Sequence, residues 1–139
     1  VMRLRRALPL VAALVLGGGV FAACSDSTSS NGTVPDLTGT WDLVSLDVAG
    51  TNVPGTVGSF TFTATTVDIS LTLPQQAPVT GTGTYTLTPT NIDINSTNAL
   101  IGQASGTYTF IDKPPGTADT LTADLLAQGT PFSVVVARQ

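Results

Sequence analysis

The sequence predicts an all-β protein, a small antiparallel up-and-down barrel of about eight strands, with a β-sandwich as the alternative. Three observations carry this expectation. Apolar and polar residues alternate with period two through most of residues 37–139. The breaks between alternating runs are short and rich in Pro, Gly and Asn. Threonine occurs 24 times in 139 residues, and this β-branched side chain suits a pleated surface and disfavours helix. The nearest approach to an amphipathic helix, residues 123–128, is short.

Trp41 to Val48 opens the alternating region. Residues 59–65 place Phe60, Phe62 and Ala64 on one face against Ser59, Thr61, Thr63 and Thr65. Residues 67–73 place Val67, Ile69, Leu71 and Leu73 against Asp68, Ser70 and Thr72. Residues 81–88 set Gly81, Gly83, Tyr85 and Leu87 against four threonines. A short match follows at Ile92 and Ile94. Residues 103–110 set Ala104, Gly106, Tyr108 and Phe110 against Gln103, Ser105, Thr107 and Thr109. Leu121, Ala123 and Leu125 form the seventh segment, and Phe132, Val134 and Val136 the last. Turn chemistry separates them, as at Val53-Pro54-Gly55, Pro89-Thr90-Asn91 and Pro114-Pro115-Gly116. Connections this short exclude parallel crossovers, so neighbouring strands pair as antiparallel hairpins. One echo stands out: GTYTL at 83–87 and GTYTF at 106–110, each opening a strand, a turn and a second strand.

A meander of eight such strands must bury one face and protect its edges, which closure into a barrel achieves. A two-sheet sandwich fits the same spacing. A membrane-spanning barrel alternates as well, but it needs aromatic girdles at the strand ends, and none is visible here.

Composition removes several chemistries. Histidine and glutamate are absent and there is one cysteine. Ser-His-Asp and Cys-His nucleophiles, histidine metal sites and glutamate acid–base pairs are therefore excluded. Asn91, Asp93 and Asn95 alternate, but in a strand they share one face, and the closing position of a calcium loop is Gly102 rather than glutamate. Asp119 and Asp124 fall on opposite faces of a strand, and Lys113 sits in a turn beside Pro114. No enzyme activity, cofactor or metal is expected.

Charge is unevenly divided. Arg3, Arg5 and Arg6 lie at the start; from residue 24 onward two basic side chains face nine aspartates, a net of −7. Such a surface does not recruit nucleic acid, which needs clustered Lys and Arg. Docking on an anionic membrane through a basic patch is excluded likewise.

Residues 1–23 have a basic stretch, an apolar run from Ala7 to Val20 and small residues at the end, the layout of a secretory signal. The run closes Phe21-Ala22-Ala23-Cys24, which resembles the lipobox of bacterial lipoproteins, with Phe21 where leucine is commonest. The resemblance implies cleavage before Cys24, a thioether-linked diacylglycerol on Cys24 and acylation of the new N-terminus. Several acyl chains together hold firmly, at about 0.8 kcal/mol per buried methylene. The protein is thus expected to be secreted and lipid-anchored in the bacterial cell envelope. Ser25 follows the cysteine where the enteric inner-membrane signal has aspartate, which implies the outer membrane. Residues 24–36 read as the lipidated cysteine and a flexible tether spanning about 20 Å, and residues 37–139 as the barrel domain.

That domain opens Leu37-Thr38-Gly39-Thr40-Trp41, which resembles the Gly-x-Trp signature of lipocalins. The resemblance extends loosely over 37–139. It implies a tryptophan that closes one barrel end and packs near an arginine of the last strand, here Arg138. The large loops and C-terminal helix of animal lipocalins are missing.

The candidate ligand-binding set is Trp41, Phe60, Phe62, Tyr85, Tyr108 and Phe110, all on the apolar faces. These residues either line a pocket for a small apolar or amphipathic ligand or fill the core of a small barrel; in the second case the tyrosine hydroxyls belong at a rim or on a backbone partner. The two functional expectations follow: a membrane-anchored ligand-binding lipoprotein, or a solid structural or interaction protein of the envelope. The size of the interior cavity separates them.

Overall fold

The structure, a computed structural model, describes residues 32–139 and a two-residue strand, β1 (Ser27–Thr28). The signal segment and Cys24 lie outside the described residues. Nine further strands follow: β2 (Gly39–Val48), β3 (Thr51–Asn52), β4 (Val57–Phe62), β5 (Thr66–Thr72), β6 (Val79–Leu87), β7 (Asn91–Ser96), β8 (Gln103–Asp112), β9 (Thr120–Ala127) and β10 (Thr130–Arg138). No helix occurs among the described residues.

The eight long strands make a closed up-and-down barrel. Each of β4 to β9 pairs antiparallel with the next in sequence, and β10 pairs back onto β2, which pairs with β4. Closure removes the open edges on which a sandwich would depend, and the single continuous ladder decides for the barrel. β1 extends the wall beside Ile111 and Asp112 of β8, and β3 folds back on the end of β2.

Alternation builds the interior. On β6 the threonines at 80, 82, 84 and 86 are exposed while Val79, Gly81, Gly83, Tyr85 and Leu87 are partly covered. Val67, Ile69 and Leu71 on β5, Ile92 and Ile94 on β7, Leu121 and Leu125 on β9, and Val134 and Val136 on β10 are buried. β2 breaks the pattern once. Val135 pairs with Ser45 and Val136 with Leu43, so Val44 is the extra residue of a β-bulge and is 62% exposed. Beyond the bulge β2 leaves β4: it pairs with β4 only over residues 39–42 and with β3 at 47–48.

The turns account for two differences from the sequence expectation. The segment 59–65 ends as a strand at Phe62. Thr63 Oγ1 accepts the Thr66 N–H at 3.0 Å and the Thr63 N–H donates to Thr66 O at 2.9 Å, so Ala64 sits exposed at the turn tip. β3 was not foreseen; two residues, Ala49 and Gly50, both at positive φ, turn the chain sharply enough to make it.

The GTYT echo is a structural repeat. The Tyr85 N–H donates to Thr65 O and the Tyr108 N–H to Thr90 O, each at 3.1 Å. The glycine two residues before each tyrosine permits close strand approach. A Cβ on Gly83 would come within 2.2 Å of Asn95 O, and one on Gly106 within 1.9 Å of Asp124 O. Both obstacles are backbone, so they do not yield. Gly106→Val is expected to cost about 3 kcal/mol or to abolish folding, whereas Thr107→Val, on the exposed face, is expected to be nearly neutral; urea unfolding of the two variants checks this.

Candidate functional site

The barrel interior is the site that the candidate aromatics address. Register puts Trp41 between Phe60 of β4 and Arg138 of β10. Trp41 is fully buried. Its indole Nε1–H donates to Leu37 O at 2.8 Å, and Leu37, ahead of β2, is itself buried. The Arg138 guanidinium carbon stands 4.6 Å from the indole centroid, a cation–π contact. Phe110 meets the indole edge-on at 6.2 Å. The tryptophan–arginine stack implied by the Gly-x-Trp resemblance is thus present as geometry.

Arg138 is held on three sides. Its Nε lies 3.4 Å from the Asp119 carboxylate, and its Nη2–H donates to Asp36 O. The Nε is buried without an aligned hydrogen bond, so the Asp119 contact is an ion pair only. Asp119 also accepts the Lys113 N–H at 3.1 Å. The Thr38 N–H and hydroxyl beside the Asp36 carboxylate, with Arg138 beyond, hold it below its ordinary range. Together these groups bind the segment 36–38 across the barrel end.

The tyrosine hydroxyls lie at the same end. Tyr85 donates to Thr63 O at 2.7 Å and Tyr108 to Thr88 O at 2.8 Å. Each closes the turn preceding its own strand pair, which is the backbone role expected of them. Burial pushes the Tyr85 hydroxyl above its usual value near 10, and the Asp36 charge adds to the shift; burial does the same at Tyr108.

The six candidate residues all belong to or pack against one core cluster, within which their ring contacts are local. Phe60 and Phe62 stack at 6.4 Å, and Phe62 meets Tyr85 edge-on at 5.0 Å. Trp41 and Phe110 form the second contact. Tyr108 packs its ring against the core while its hydroxyl holds the turn. The interior cavity has a volume of about 20 Å³ and is lined by Phe60, Phe62, Ile92, Ile94, Leu121 and their apolar neighbours. Of the six candidates only Phe60 and Phe62 reach it. That space admits about one water molecule, and its apolar lining offers a water no partner.

Asn98 guards the opposite end, a role that sequence reasoning missed. It is 1% exposed. Its Nδ2–H donates to Val79 O at 3.0 Å, and its Oδ1 accepts from Leu100 N–H at 2.9 Å and Ile101 N–H at 3.2 Å. These bonds tie the β7–β8 loop over Gly81, where a Cβ would lie 2.1 Å from Asn98 N. Ile101, buried beside it, completes the cover. The Ser-Thr-Asn run at 96–98 is the signal that could have found it, since Asn bonds the backbone two and three residues on.

No family model matches the chain, and no curated protein matches it. One solved structure, EF1p2_mFAP2b bound to DFHBI, is similar over 74% of this chain and 94% of its own, at 21% identity and a TM-score of 0.46. A likeness this slight does not bear on function.

Two predictions follow from the Trp41 end. Arg138→Ala removes a partly desolvated cation–π contact and the packing of the side-chain stem, and is expected to cost about 1–2 kcal/mol. The readout is a lower urea midpoint with a red-shifted emission from Trp41, the single tryptophan. A phenol raised in the folded state contributes stability that is present below pH 10 and is lost as pH climbs through the folded value. Unfolding free energy is therefore expected to fall above pH 10, and the fall to flatten in Tyr85→Phe/Tyr108→Phe.

Proposed function

We propose that the protein is a bacterial lipoprotein, held at the membrane through acylated Cys24, whose barrel is a solid module working through its outer surface. One observation carries the second half: an interior cavity of about 20 Å³, against roughly 300–1,000 Å³ for ordinary small-molecule sites. The first half is supported by the Phe21-Ala22-Ala23-Cys24 run behind a basic and apolar leader. The Ser25 position favours the outer membrane. The lipocalin resemblance of the Leu37–Trp41 segment gains support from the Trp41–Arg138 stack. The net of −7 from residue 24 onward speaks against nucleic acid and for a protein surface as the counterpart. The lack of histidine and glutamate speaks for a non-enzymatic role.

A second reading keeps a small apolar or amphipathic ligand within the barrel. The wholly apolar cavity lining favours it, but the ligand would have to part the side chains around Phe60 and Phe62 to enter.

Native mass spectrometry of protein extracted from cells decides between the readings. The expected mass is the polypeptide from Cys24 onward plus its covalent acyl groups. A further lipid that is retained in the folded protein and lost on unfolding would establish the second reading instead. Cys24→Ser is expected to lose the acyl mass and to leave the membrane fraction. If that variant is cleaved and sediments with membranes as the natural protein does, the anchor is refuted.

A further inference from the structure

The outer wall is not uniform. β5 to β8 present mainly threonine, serine, aspartate and asparagine. Across β8, β9, β10, β2 and β3 one row of directly paired residues runs Thr107, Asp124, Ser133, Asp47, Asn52. An open groove of about 710 Å³ lies along this row. One step towards the β9–β10 turn, Leu126 and Pro131 form a paired, apolar flank. Leu126 is 55% exposed, one of few large apolar side chains so placed.

The two carboxylates of the row stand two strands apart, about 10 Å at ordinary strand spacing. Among the described residues neither has a cation within ion-pair distance. Among the described residues the ion pair is Arg138 with Asp119, at the barrel end that Trp41 seals. Two unneutralised carboxylates on either side of a serine, edged by exposed leucine and proline, ask for a counterpart that is both cationic and apolar.

We propose that this groove docks a basic, apolar peptide segment of a partner protein. Two of its cationic side chains meet Asp47 and Asp124, and an apolar residue between them covers Leu126 and Pro131. Charge selects this occupant over the others. From residue 32 onward the chain carries eight aspartates against Lys113 and Arg138, so a second copy would bring carboxylates against carboxylates. Anionic lipid and nucleic acid are repelled in the same way. Opposite charge beside a desolvated apolar contact gives a partner both register and orientation. The assignment rests on the reading of the barrel as a module that works through its surface, but its test reads the wall and leaves the interior to the mass measurement above.

The test titrates the ¹⁵N-labelled protein with acetyl-Lys-Leu-Val-Lys-amide and, as a control, acetyl-Glu-Leu-Val-Glu-amide. Amide shifts are expected at Asp47, Asn52, Asp124, Leu126 and Ser133 with the basic peptide alone. Affinity is expected to fall at least tenfold in Asp47→Asn/Asp124→Asn and at high salt, and to fall again in Leu126→Ser. All three substitutions are on the outer wall, and an unchanged thermal midpoint shows that the fold is kept. Shifts outside this row, equal response to the acidic peptide, no binding at millimolar peptide, affinity unchanged in the carboxylate variant, or self-association through this face would each overturn the assignment.

Discussion

Closure of the hydrogen-bonded ladder is the constraint on which the rest of the molecule depends. Eight strands joined end to end fix the width of the interior, and at that number the space is close to what side chains alone can fill. Inward positions on β2 and β4 to β10 then contribute volume, the glycines at 81, 83 and 106 excepted. Here leucine, isoleucine, valine and phenylalanine do so, and about 20 Å³ is left. A carrier needs either more strands or smaller inward residues. The tight interior is therefore a consequence of strand number and side-chain choice together.

The two glycine–tyrosine strands show how such closure is reached. A sheet that curls this tightly brings neighbouring backbones close at a few points, and Gly83 and Gly106 occupy two of them, where a Cβ would strike a carbonyl oxygen. The tyrosine that follows on the same face then reaches past the strand end to a turn carbonyl. Bend and fastening come from one five-residue segment. Its recurrence places two such fastenings along one side of the wall.

Much of this was legible in the sequence. Period-two alternation located seven of the eight long strands and their inward faces, because one buried face leaves a polar residue at every second position, and the Trp41–Val48 segment was read as a strand without its faces. Trp41 and Arg138 were legible as a pair through the Gly-x-Trp resemblance. The bulge at Val44 was not, since an extra residue changes register without altering composition. Ala64 was read as strand because apolar character continues past Phe62, while the Thr63–Thr66 hydrogen bonds that stop the strand are a three-dimensional property. Asn98 was hidden for a different reason. Its burial depends on Val79, nineteen residues away, and no local pattern records that contact. The aromatic set was correctly placed on the inner face, but alternation says nothing about how much room lies between facing walls.

Asp36 and Arg138 meet beside Trp41, so the described chain enters and leaves its barrel at a single end. Whatever is joined ahead of Leu37 or after Arg138 is therefore attached at that sealed base. Loops β2–β4, β5–β6 and β7–β8 and the β9–β10 hairpin form the crown at the far pole. That pole carries only loops and turns, so neither end of the described chain obstructs an approach to it.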